Sequence, residues 1–102
     1  MSEFFRVCRF DELTENLPHP VEVDDYEITL IKHAGKVYAL LDQCSHEDFP
    51  LSQGQVEGGV IRCRAHGAEF DLATGKVLKP PALVGVKTFV VKVEEGYVFV
   101  AV

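Results

Sequence analysis

The sequence predicts an all-β fold of antiparallel strands in one domain; two observations carry the fold and a third the domain count. Short runs rich in Val, Ile, Leu, Phe and Tyr recur along the chain, and such side chains suit a pleated, half-buried surface. Glycine-bearing pairs separate several of these runs at the spacing of tight hairpins. With 102 residues and no internal repeat, low-complexity tract or linker, the chain has room for one domain, spanning 1–102.

The first strand is expected over Phe4 to Cys8, with Cys8 as a small buried hydrophobe. Asp11 to Glu15 can make one helical turn capped by Asp11. In the following loop, Asn16-Leu17-Pro18-His19-Pro20, the prolines argue against regular structure, so a second strand begins only at Val21 and includes Val23. Tyr26 to Ile31 and Val37 to Leu41 form a hairpin turning at Gly35-Lys36. Gln55-Val56-Glu57 and Val60-Ile61-Arg62 flank Gly58-Gly59 as a second, shorter hairpin. A short strand at Glu69 to Asp71 is followed by a turn at Ala73 to Lys76. Lys87 to Glu94 and Tyr97 to Val102 make a terminal hairpin about Glu95-Gly96. His19 and His33 read as surface histidines, since neither has a neighbouring set of metal-ligating residues.

The formal charge is −6, from 16 acidic and 10 basic residues, which argues against a nucleic-acid partner and would suit positively charged redox partners. No apolar stretch approaches the length needed to span a bilayer, and Met1 to Arg6 resembles no export leader. A cytoplasmic protein is expected. An odd count of three cysteines fits metal binding better than a secreted disulfide framework.

The chemistry is concentrated in two short clips. Cys44-Ser45-His46 is followed, after residues 47–62, by Cys63-Arg64-Ala65-His66. Each clip offers one soft sulfur and one imidazole nitrogen, which together suit zinc or an iron–sulfur cluster. A zinc finger usually places both cysteines in one clip and both histidines in the other. Mixed clips suit a two-iron cluster in which one iron takes both thiolates and the other both imidazoles. Zinc on the same four residues, giving a non-redox binding module, is the competing reading.

With these clips the chain resembles a Rieske ferredoxin of the kind that serves multicomponent non-haem iron oxygenases. The resemblance runs over nearly the whole chain and takes in Leu51, Gly54, Gly67, the run Phe70-Asp71-x-x-Thr74-Gly75-Lys76 and the Pro80-Pro81 loop. It implies an antiparallel β-sandwich base carrying a small cluster-binding β subdomain at about 43–83. It also implies one [2Fe-2S] cluster per chain, with Cys44 and Cys63 on one iron and His46 and His66 on the other. The implied protein is no enzyme. It is a monomeric one-electron carrier between a flavin-dependent ferredoxin reductase and a terminal oxygenase, without nucleic-acid or membrane partners. A small subunit of an assimilatory nitrite reductase, or a ferredoxin attached to iron–sulfur assembly, is the alternative within electron transfer.

Several neighbours of the clips have expected roles. Gly54 and Gly67 permit tight backbone conformations, Phe49 and Leu51 shield the cluster or anchor the loop, and Glu47 and Asp48 face solvent. Respiratory-chain Rieske proteins carry a further cysteine in each cluster loop, where this chain has Phe49 and Ala65. They also carry hydroxyl donors where it has Ala68 and Phe70. Fewer donors to the cluster imply a potential near the bottom of the Rieske range, about −150 mV.

Overall fold

The computed structural model describes residues 3–44, 49–65, 67–80 and 84–102. The strands are β1 (Phe4–Arg9), β2 (His19–Val23), β3 (Tyr26–His33), β4 (Lys36–Leu41), β5 (Gln55–Glu57), β6 (Val60–Arg62), β7 (Glu69–Asp71), β8 (Val77–Lys79), β9 (Thr88–Glu94) and β10 (Tyr97–Ala101). They form a six-stranded sheet ordered β1-β10-β9-β4-β3-β2 and a four-stranded sheet ordered β5-β6-β7-β8. Every pairing between these strands is antiparallel, and a single isolated bridge among the described residues, Glu15 with Lys32, is parallel.

The large sheet folds over on itself. β9 pairs with β4 through Phe89 and Thr88, then with β10 from Val90 onward, so one strand serves both halves. Between the halves lies an apolar core with Val23, Ile28, Leu30, Ala39, Phe89, Val98 and Val100 at its centre. This is the expected sandwich base. Its β3–β4 and β9–β10 turns have positive φ at both central residues, Ala34 and Gly35 in one and Glu95 and Gly96 in the other. That backbone matches the right-handed twist of the flanking strands.

Four consecutive β3 residues, Ile28 to Ile31, are fully buried, a pattern of strands covered on both faces. Alternation then sorts them: Ile28 and Leu30 join the large core, while Ile31 joins a second, smaller one. β4 divides in the same way, with Ala39 in the large core and Leu40 in the small. β3 and β4 are thus a wall shared by two cores, and the small sheet packs Ile61 and Phe70 into the far side.

Several expectations need correction. His19 and Pro20 are not loop residues; they open β2, opposite Leu30 and Thr29. β2 is an edge strand, so a proline without an N–H can be accommodated on its unpaired side. The turn after β3 is Ala34-Gly35, and Lys36 already pairs with His33. The expected helical turn is a 3₁₀ turn over Phe10–Glu12, preceded by Arg9 rather than capped by Asp11. The backbone N–H of Arg9 donates to the Glu12 carboxylate at 3.0 Å. β8 had no counterpart in the sequence reading.

Candidate metal centre

Both predicted cysteines stand where the small core meets its loops. Cys44 follows the end of β4 and Cys63 follows β6, and they are 2% and 1% exposed within the same apolar cluster as Leu51, Ala68, Phe70 and Leu72. His46 and His66, with Glu47, Asp48 and Pro81, lie outside the described residues.

The two loops are closed in the same manner. The Cys44 N–H donates to the Phe49 carbonyl at 2.8 Å, and the Cys63 N–H donates to the Ala68 carbonyl at 2.7 Å. Each bond joins a cysteine to the residue five positions on, and each enclosed segment contains one of the predicted histidines. Inside the second loop the Gly67 N–H returns to the Cys63 carbonyl at 3.0 Å. Equal closures make two comparable arms, each starting from a buried cysteine.

Arg62 connects the arms. Gly54 has φ −84°, open to any residue, but a Cβ there would run into the Arg62 carbonyl oxygen. Close approach, not conformational freedom, demands that glycine. Gly67 is the conformational case, with φ +78°, and a Cβ there would also lie 3.2 Å from the Arg62 guanidinium. The role of Arg62 had no sequence signal except the glycines on either side of it. A cleft of about 810 Å³ opens beside Cys63, with Gln53, Gln55, Arg62 and Arg64 on its walls.

The segments that flank the Pro80-Pro81 loop are pinned together at Gly75 and Val86. The Val86 N–H donates to the Gly75 carbonyl at 2.8 Å, and a Cβ at either Gly75 or Gly85 would strike the opposite backbone. Asp71 holds the preceding turn by accepting from the Thr74 N–H at 2.9 Å and its hydroxyl at 2.8 Å. Leu51 is fully buried and Phe49 packs partly buried against the small core, so the apolar residues after the first clip do anchor it.

The remaining candidates lie away from this centre. Cys8 is half-buried against the large core rather than enclosed, and burial, aided by the Glu12 carboxylate, pushes its thiol pKa up. His33 is no plain surface residue: its Nδ1 lies 2.7 Å from Asn16 Oδ1. His19 starts β2, partly covered.

Two thiols drawn from separate loops into one water-poor apolar core form a donor set that fits a sulfur-ligated metal group. The family model described as "Rieske [2Fe-2S] domain" matches residues 3–90. The chain belongs to the Rieske [2Fe-2S] domain family. Its cofactor is accordingly of the Rieske [2Fe-2S] type. Among curated relatives, it is 36% identical to the 3-phenylpropionate/cinnamic acid dioxygenase ferredoxin subunit of Photorhabdus laumondii, across 100% of this chain and 96% of that one. It is also 36% identical to the biphenyl 2,3-dioxygenase ferredoxin component of Rhodococcus jostii, across 93% and 89% of the two chains. Among solved structures, it superposes with a TM-score of 0.90 and 31% identity on a chain of the complex of reduced oxygenase and oxidized ferredoxin in carbazole 1,9a-dioxygenase, covering 96% and 92% of the two chains.

Proposed function

We propose that this Rieske protein is the ferredoxin component of an oxygenase system, carrying single electrons from a flavin-dependent reductase to a terminal oxygenase. The observation that supports this most directly is the pair of equally closed loops, each contributing one buried cysteine to a common core in a chain of ferredoxin size. The chain is not itself catalytic. An oxygenase subunit needs a mononuclear iron site and a substrate pocket, for which this sequence has no second ligand set.

Cys44 and Cys63 would hold one iron of the cluster as thiolates, and His46 and His66 the other as imidazoles. The bound group supplies a one-electron redox couple. The surrounding residues set its environment: Leu51, Ile61, Phe70 and Leu72 exclude water from the thiolate side, while the backbone bonds of Cys44 and Cys63 hold the loops closed. Residues 43–83 form the cluster-binding part of a single domain, which acts as a cytoplasmic monomer. No helix among the described residues is long and apolar enough to cross a membrane.

Purified protein should be red-brown, contain two irons and two sulfides per chain, and give a Rieske electron paramagnetic resonance spectrum on reduction. It should restore turnover to a reductase and a terminal oxygenase that are inactive together without it. A colourless protein containing zinc, with no redox response, would overturn this reading.

A further inference from the structure

The two cluster loops are closed alike at their necks but supported differently outside them. Beyond the second neck the chain is already a ladder, with Arg62 opposite Glu69 and Ile61 opposite Phe70. Beyond the first neck no such pairing occurs among the described residues. β4 pairs with β3 and β9, and the chain leaving the loop passes through Pro50 into a 3₁₀ turn over Leu51–Gln53.

In place of a ladder there is one side chain. Asp42 Oδ1 accepts the Ser52 backbone N–H at 2.7 Å, and Asp42 Oδ2 accepts the Ser52 hydroxyl at 2.8 Å. The Ser52 N–H is an orphan donor at the start of the 3₁₀ turn, and Pro50 provides no side-chain cap for it. Asp42 is itself fixed to the base, because its own N–H donates to the Glu27 carbonyl of β3 at 2.9 Å. Leu51, beside Ser52, is fully buried in the core that contains Cys44. One aspartate therefore ties together the base, the entry to the first loop and its exit.

We propose that Asp42 is a positioning residue for the cluster, clamping the first loop through Ser52 as the β6–β7 ladder clamps the second. The inference rests on the ligand reading of the proposed function, and it assigns the metal no contact with Asp42.

The test uses intact, cluster-loaded protein. Asp42→Ala, Asp42→Asn, Ser52→Ala and Ser52→Thr are compared with wild type, and Glu12→Ala, which removes a carboxylate–backbone bond in the base, is the control. Iron and sulfide content, the paramagnetic resonance spectrum and the rate of bleaching by excess chelator are measured. Asp42→Ala should bleach about tenfold faster or more, the scale on which outer-shell partners alter metal affinity. Asp42→Asn and Ser52→Ala, each keeping one bond, should fall between it and wild type. Ser52→Thr and Glu12→Ala should match wild type. If Asp42→Ala assembles no cluster, Ser52→Ala carries the comparison alone. Wild-type bleaching and spectra in every Asp42 and Ser52 variant that assembles would overturn the clamp, as would an equal acceleration in Glu12→Ala. A wild-type protein lacking iron and sulfide would overturn the ligand reading beneath it, an outcome distinct from failure of the clamp.

Discussion

The base and the small sheet share a wall but are built on different terms. Base strands are five to eight residues long, and their core is filled by aliphatic and aromatic side chains. Each strand of the small sheet has three residues, and its core includes both predicted thiolate ligands. Short strands bury little surface and form few ladder bonds, so a metal group joining their loops contributes a large share of local stability. The longer strands and larger apolar core of the base depend on no such group for their contacts.

The strongest way to break this contrast is to remove the cluster. On the proposed ligand assignment Cys44→Ser would leave one iron with an incomplete ligand set, and nearly all iron and sulfide should be lost. Amides of β6 and β7 should then exchange rapidly while those of β3, β4 and β10 keep their protection. Uniform loss of protection in both sheets would mean a single cooperative unit in which the base also depends on the metal.

Core truncations test the same division from the protein side. Leu30→Ala in the large core should cost about 2–5 kcal/mol, and Phe70→Ala in the small core about 3–5 kcal/mol. Both side chains are fully buried and their expected costs overlap, so neither burial nor cost separates them. Location does. During heating, Leu30→Ala should lose visible absorbance and far-ultraviolet dichroism together at a lowered temperature, whereas Phe70→Ala should lose its visible absorbance before the base unfolds. Coincident transitions in Phe70→Ala would remove the distinction.

The base was the more legible region because its signals are local. A run of strand formers on each side of Glu95-Gly96 or Ala34-Gly35 is enough to place a hairpin. Pro20 misled because a missing N–H matters only if that side of the strand must be paired, and edge position depends on the whole sheet. β8 escaped notice because a three-residue strand is defined by its partner, here β7, more than by its own residues. In the centre, cysteines 44 and 63 were singled out through the histidines spaced beside them, and the fold buries both in one core. The Asp42–Ser52 contact spans ten positions and joins two ordinary polar residues, so no short motif announces it.

Two glycines sharpen the contrast further. Gly58, in the β5–β6 turn, has φ +59° and open space around its Cβ direction, so Gly58→Ala pays only backbone strain, about 1–2 kcal/mol. Gly54 has an unstrained backbone but no room, since the Arg62 carbonyl occupies the Cβ position. Gly54→Ala must push apart the segments that lead to the two cluster loops. It should speed cluster loss as well as lower the melting temperature, while Gly58→Ala should lower the melting temperature alone. Equal cluster lifetimes in the two variants would show that the Gly54–Arg62 contact does not set loop separation.

The smallest expected effect concerns potential, and it probes the small core without opening it. Ala68 is 1% exposed, shares that core with Cys44 and Cys63, and its carbonyl accepts the Cys63 N–H. A hydroxyl introduced by Ala68→Ser would be buried, and in that setting it gains by donating to a sulfur acceptor. Such a bond favours the reduced cluster, which carries one more negative charge, over the oxidised one. A differential gain of about 1 kcal/mol, the net scale of a buried hydrogen bond, corresponds to a rise of about 40 mV for one electron. Val100→Thr, which places a hydroxyl in the large core, should leave the potential unchanged. Voltammetry at neutral pH on both variants, with cluster spectra matched to wild type, makes the comparison. An unmoved potential in Ala68→Ser would mean that the added hydroxyl finds a backbone acceptor instead of a sulfur, and that position 68 supports the loop without tuning the metal.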